Sequence, residues 1–183
     1  RCWGDAMVHV NDIDIFVEDH IDLHLHDMGK LSETDIAIGK NVAELVDDGA
    51  CLQMGIGGIP NAVLAQLGNH KDLGVHTEMF SDGILPLVEK GVVTGKHKNL
   101  AKGKMVATFL MGSKKLYEFV DDNPMVAMMD VCFTNSVHII RQLDKVTAIN
   151  SALAIDLTGQ VCADSIGTKH YSGVGGQIDF IRP

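Results

Sequence analysis

Three stretches of this chain hold residues whose types and spacing suit covalent chemistry: Gly55-Ile56-Gly57-Gly58-Ile59-Pro60, His76-Thr77-Glu78-Met79-Phe80-Ser81-Asp82-Gly83 and Ser172-Gly173-Val174-Gly175-Gly176-Gln177. Glycines let main-chain N–H groups come close to a ligand, and Glu78 supplies a carboxylate able to act as nucleophile or base. Together they suit acyl chemistry on a large phosphorylated thioester. Each stretch alone has a plainer reading. Gly55-x-Gly57-Gly58 lacks the third glycine of a dinucleotide fingerprint, because Pro60 stands in its place, and no Gly-Lys-Ser/Thr ending follows. By itself it is equally a tight strand-to-helix turn. Glu78 by itself reads as a surface glutamate at a strand end, and Ser172 to Gly176 as a loop tip.

Other clusters carry less. His24-x-His26 with Asp22 and Asp27 alternates as metal ligands on a strand would, but no third cluster accompanies it, and it reads as a solvated polar segment. Lys96, Lys98, Lys102 and Lys104 form a basic stretch that reads as a solvated loop. The methionines read as adaptable core filler. Cys2, Cys51, Cys132 and Cys162 have no C-x-x-C pair and no zinc spacing, which points to a reduced, intracellular protein, cytoplasmic or, in a eukaryote, mitochondrial.

The elements that must position these residues follow a strand-turn-helix pattern. Ser32-Glu33-Thr34-Asp35 offers a cap and acidic first turn to a helix over Glu33 to Val46, closed by Asp48-Gly49. Ala50 to Met54 reads as a buried strand running into the first glycine loop, and Pro60 opens a helix to Leu67. Leu73 to Thr77 is a second strand with Glu78 at its C-terminal end, where α/β folds hold ligands. Further along, Leu85 to Glu89 and Lys114 to Val120 read as helical, Met105 to Leu110 and Val126 to Met129 as strands, and Asn135 to Gln142 as a helix. Val146 to Asn150, Ala152 to Leu157 and Gln160 to Ala163 lie close together, with Thr158-Gly159 as a hairpin turn, so the expected fold is an α/β layered open sheet, mainly parallel, with some antiparallel strands near the C-terminus. Ile178 to Ile181 reads as one more strand, and Val8 to Leu25 as strand-like or irregular linker.

The 183 residues, with 46% hydrophobic and 21% charged, suit one domain with its own core. A net charge of -9 argues against a nucleic-acid partner, and no run approaches the roughly 20 apolar residues of a membrane helix. The start at Arg1 and the stop at Pro183 read as cuts through a longer protein.

The three stretches, with Lys104 to Gly112, Asn150 to Ser165 and Gly167 to Phe180, resemble the acetyl-CoA hydrolase/transferase family, and within it the 4-hydroxybutyrate CoA-transferase branch. The resemblance implies that Glu78, in the H-[ST]-E-M motif, forms a glutamyl-CoA thioester. It further implies CoA contacts from Gly55, Ile56, Gly57, Gly58, Ile59, Asn150 and Gly173. The implied activity moves coenzyme A between an acyl-CoA and a small carboxylic acid such as 4-hydroxybutyrate or acetate, with CoA as substrate and no permanently bound cofactor or metal. It also implies a homo-oligomeric parent, with residues 1–28 a remnant of an N-terminal domain and linker and 29–183 a truncated C-terminal domain of CoA-transferase type. A thioester hydrolase differs only in letting water reach the glutamyl thioester; a non-catalytic CoA-binding module and an NAD-dependent oxidoreductase fragment are the rivals of other classes.

Overall fold

Short apolar runs that are buried on both faces form parallel strands, because helices cover the sheet from either side. That pattern governs the chain. A computed structural model describes residues 1–26 and 29–183, so the expected domain boundary at Met28, and Asp27 of the polar segment, lie outside the described residues. The elements run β1 (Trp3–Gly4), α1 (Glu33–Ala43), β2 (Cys51–Met54), α2 (Gly58–Gln66), β3 (Gly74–His76), β4 (Met79–Phe80), α3 (Leu85–Glu89), β5 (Met105–Ala107), β6 (Phe109–Leu110), α4 (Lys114–Val120) and β7 (Val126–Met128). Then follow α5 (Val131–Thr134), α6 (Val137–Ile140), β8 (Val146–Ile149), β9 (Ala154–Ile155), β10 (Val161–Cys162), β11 (Ser165–Ile166), β12 (Lys169–His170) and α7 (Gln177–Ile181).

Six strands form one sheet in the order β1-β7-β5-β3-β2-β8, with every pairing parallel. All carboxyl ends therefore lie along one edge. The register sets Cys51 beside Gly74 and Met54 beside Ile149, so the residues after β2, β3 and β8 are neighbours. Neighbouring strand residues point to opposite faces. Val75 joins a core with Leu52, Leu64, Phe80, Leu116 and Val120, under α2, α3 and α4, while His76 faces Phe133 and Phe180 beneath α5 and α7. Full burial of each large apolar side chain contributes about 1.5–3 kcal/mol, and Leu52→Ala would cost roughly 2–5 kcal/mol.

α1 starts at a capping box, with Ser32 and Asp35 exchanging side-chain and main-chain hydrogen bonds, and it ends at Ala43, one turn short of Val46. It crosses α2 closely at Gly39, where a Cβ would stand 2.6 Å from the Ala62 carbonyl. Several expectations change. Ile178 to Ile181 is helical, not a strand: Gly176 caps the turn, Asp179 lies in its first turn, and Phe180 alone of the run is buried, whereas a strand would bury Ile178 with it. Asn135 to Gln142 is not one helix: Asn135 ends α5, and α6 begins at Val137. Met105 to Leu110 divides between the main sheet and a small parallel pair, β4 with β6. Val146 to Ile149 is a parallel edge of the main sheet, whereas the hairpins β9/β10 and β11/β12 are antiparallel.

The opposite edge belongs to Trp3–Gly4, a strand the sequence did not announce; a Cβ on Gly4 would lie 2.4 Å from the Met128 carbonyl oxygen. Beyond it, Ile15, Phe16, Val17, Ile21, Leu23 and Leu25 are exposed in a stretch without regular structure. Lys98 is not solvated. It is buried, and its Nζ donates to the carbonyls of Val75 and Lys104, both at 2.8 Å. Burial pushes its pKa down to about 8, and its stem crosses Gly74 so closely that a Cβ there would lie 2.7 Å from Lys98 Cγ.

Candidate functional site

The parallel register decides what meets at the carboxyl edge. Gly55 leaves β2 and donates its N–H to the Ile149 carbonyl at 2.8 Å, which brings the first glycine loop against the end of β8. Asn150, the next residue, exchanges two hydrogen bonds with Gln53: its Nδ2 donates at 2.7 Å and its Oδ1 accepts at 3.2 Å. A Cβ on Gly55 would stand 3.3 Å from Asn150 Oδ1, so the loop and Asn150 form one surface. Gly57 then takes φ 107° and ψ -173°, a conformation reserved for glycine, and caps α2. Gly58 and Ile59 begin that helix, whose first N–H groups have no intrahelical partner and favour an anion. Ile56 is exposed at the tip.

Glu78 is held from both ends. Its carbonyl accepts N–H groups of Thr108 at 2.9 Å and Phe109 at 3.1 Å, and the buried hydroxyl of Thr77 accepts the N–H of Met54 at 3.1 Å and reaches the Met79 carbonyl at 2.9 Å. This locks the turn after β3 to the end of β2. The half-buried carboxylate accepts at Oε2 from Asn135 Nδ2, 2.6 Å away, and the same nitrogen lies 3.2 Å from Asp179 Oδ2. Asn135 Oδ1 is buried with no protein donor.

Asn135 is positioned through His76, two residues before Glu78. The ring nitrogen Nε2 lies 2.8 Å from the Thr134 carbonyl, and a carbonyl only accepts, so Nε2 carries the proton. Burial pushes the His76 pKa down to about 4, which keeps the ring neutral at pH 7. Its neighbours are Phe133 at 6.1 Å and Phe180 at 6.3 Å between ring centroids. One buried imidazole thus moors both α5 and α7 beneath Glu78.

The second glycine stretch reaches the site at an unexpected residue. A Cβ on Gly176 would stand 1.9 Å from Glu78 Oε2 and 2.3 Å from Asn135 Nδ2, whereas one on Gly173 would meet nothing within 4 Å. The structure therefore brings together Gly55 with Asn150, and Glu78 with Asn135, Asp179 and Gly176, and leaves Gly173 exposed. A narrow cleft of about 80 Å³ runs beside them between Ile56 and Gly57 on one wall and Met79 and Ser81 on the other, with His26 at its rim. A wider recess of about 570 Å³ lies at the opposite end of the sheet and holds none of the expected site residues. Asn135 and Asp179 carry no local signal as site residues, whereas Gly176 lies in the second glycine stretch, whose implied contact was Gly173 instead. Among the described residues, no group of three or more His, Cys, Asp or Glu side chains could hold a metal.

Residues 112–183 match the family described as acetyl-CoA hydrolase/transferase C-terminal domain. The chain is 52% identical over 182 residues to the 4-hydroxybutyrate coenzyme A transferase of Clostridium kluyveri, a match that spans 100% of this chain and 42% of that protein. It is 51% identical to the succinyl-CoA:acetate/propanoyl-CoA:succinate CoA transferase of Fasciola hepatica, over 98% of this chain and 38% of the relative. The crystal structure of RipA from Yersinia pestis superposes with a TM-score of 0.89 at 39% identity, over 100% of this chain and 40% of that one. The chain thus spans about two-fifths of the length of the relatives it matches.

Proposed function

The chain belongs to the acetyl-CoA hydrolase/transferase family, and on that premise we propose that it supplies the nucleophile and the CoA-binding wall of a CoA transferase. The observation that carries this reading is the fixed Glu78 carboxylate: Asn135 donates to Oε2, which leaves Oε1 to attack. Oε1 adds to the thioester carbonyl of an acyl-CoA, the C–S bond breaks, and a mixed acyl-glutamyl anhydride and CoA thiolate result. The thiolate then attacks the glutamyl carbonyl and releases the acid as its carboxylate, giving a glutamyl-CoA thioester. An acceptor carboxylate reverses both steps.

Each attack develops an oxyanion. In the second, the charge falls on Oε2, against the Asn135 amide; a donor so placed stabilises a transition state by about 3 kcal/mol. In the first it falls on the acyl oxygen, for which the N–H groups of Gly57, Gly58 and Ile59 are the proposed donors, with Gly55, Ile56, Asn150 and Gly173 contacting CoA. Binding energy from the remote pantetheine and nucleotide is then available at the reacting carbonyl. The acyl group is a short one such as acetyl or 4-hydroxybutyryl. We take residues 29–183 as the C-terminal domain and 1–28 as a remnant of an N-terminal domain and linker, although Trp3–Gly4 pairs with the main sheet. Four free cysteines suit a reducing compartment, such as the cytoplasm or, in a eukaryote, the mitochondrion.

The full-length protein, given an acyl-CoA with and without acetate, is expected to pass CoA to the carboxylate, and Glu78→Gln to stop this while CoA affinity persists. Equal loss of acyl-CoA without any carboxylate would make the protein a hydrolase. CoA binding without turnover would make it a binding module.

A further inference from the structure

A second carboxylate stands behind the amide that holds Glu78. We propose that Asp179 is a positioning residue for the nucleophile: it fixes the Asn135 amide with its N–H groups towards Glu78, a role that rests on the reading of Glu78 above. Asn135 Nδ2 lies 2.6 Å from Glu78 Oε2 and 3.2 Å from Asp179 Oδ2, so one nitrogen serves two acceptors. An ionised carboxylate accepts and never donates. The flipped amide would therefore turn its oxygen onto two carboxylates. In the observed orientation Asn135 Oδ1 is instead buried with no protein donor, an unfavourable placement that two charged acceptors on the nitrogen offset. Without Asp179, one anchor remains.

Asp179 is itself held in place. It sits in the first turn of α7, where a negative charge is favoured, and its N–H donates to the Gly176 carbonyl at 3.0 Å. The next residue, Phe180, is buried beside His76, the group that also holds the end of α5. The two residues flanking the Glu78 carboxylate are thus carried by short elements moored to one imidazole. Gly176 closes the arrangement, since any side chain there would occupy the space of Glu78 Oε2.

The test is the rate at which the full-length protein, mixed with acetyl-CoA, forms a CoA adduct on the peptide containing Glu78. Asp179→Ala is expected to slow this by about ten- to a hundredfold, the loss that goes with one charge-assisted hydrogen bond, while the KM for acyl-CoA changes less than about threefold. Asp179→Asn, which keeps an acceptor oxygen and the shape, is expected to lie between the two and covers the case in which the alanine variant does not fold. In the N135A background, D179A is expected to slow the reaction no further, because Asp179 acts through the amide. Equal slowing in both backgrounds, or a D179A rate within about twofold of the unsubstituted protein, overturns the role of Asp179 alone. Absence of any adduct on Glu78 in the unsubstituted protein overturns this role together with the reading it rests on.

Discussion

The two glycine-rich stretches use the same residue for opposite reasons. Gly57 in the first adopts φ 107° in open space, where a Cβ would meet nothing within 4 Å; its value is a backbone conformation that turns β2 into α2. Gly176 in the second has φ -76° and ψ 4°, which any residue can adopt, yet a Cβ would lie 1.9 Å from the Glu78 carboxylate. The first glycine shapes the chain, and the second makes room for a neighbour. A substitution at Gly57 should therefore act through the backbone and the ligand surface, and one at Gly176 through the nucleophile.

Four experiments press on this contrast. Gly176→Ala should reduce CoA transfer by on the order of a thousandfold, since Glu78 and Asn135 must both move, while the fold survives; transfer kinetics and circular dichroism on the full-length protein decide it. The second region also rests on a buried imidazole, so it should be the acid-sensitive one. With a folded pKa of about 4 against a usual 6.5, neutral His76 contributes stability in full above about pH 6.5, and this is lost as the pH falls from there towards 4. Between pH 7 and pH 5 the loss should be about 2 kcal/mol larger than in a His76→Gln variant, with hydrogen exchange rising in α5 and α7 before α2. Equal losses in the two proteins would detach His76 from the acid response. Gly57→Ala should cost about 1–3 kcal/mol of stability by forcing alanine into a glycine conformation, and CoA titration should show affinity falling about tenfold. Gly173→Ala should change stability by less than about 0.5 kcal/mol and leave transfer within about twofold, because there is space for the methyl group and the N–H is kept.

The same contrast explains what the sequence disclosed. Conformational glycines and buried strands leave local marks: the unit from Cys51 through Gln66, the strand leading to Glu78, and the helices Leu85–Glu89 and Lys114–Val120 all stand where the pattern puts them. Contacts between distant residues leave none. Asn135 meets Glu78 across 57 positions, and Trp3 pairs with Ala127 at the sheet edge through main-chain bonds that a two-residue run does not announce. Lys98 reads as solvated because its charge suggests water, yet the carbonyls of Val75 and Lys104 accept its hydrogen bonds inside the fold. Ile178 to Ile181 read as a strand because alternation over four residues does not separate a strand from a helical turn that buries Phe180 alone.

In the proposed reaction the Glu78 carboxyl carbon accepts the coenzyme A sulfur. Full-length protein incubated with acetyl-CoA, stopped without carboxylate acceptor, digested and weighed by mass spectrometry, tests that directly. A peptide containing Glu78 heavier by CoA less one water, and absent from the Glu78→Gln variant, is the predicted result. CoA transferred at full rate by the Gln variant, or an adduct on any other residue, would contradict it.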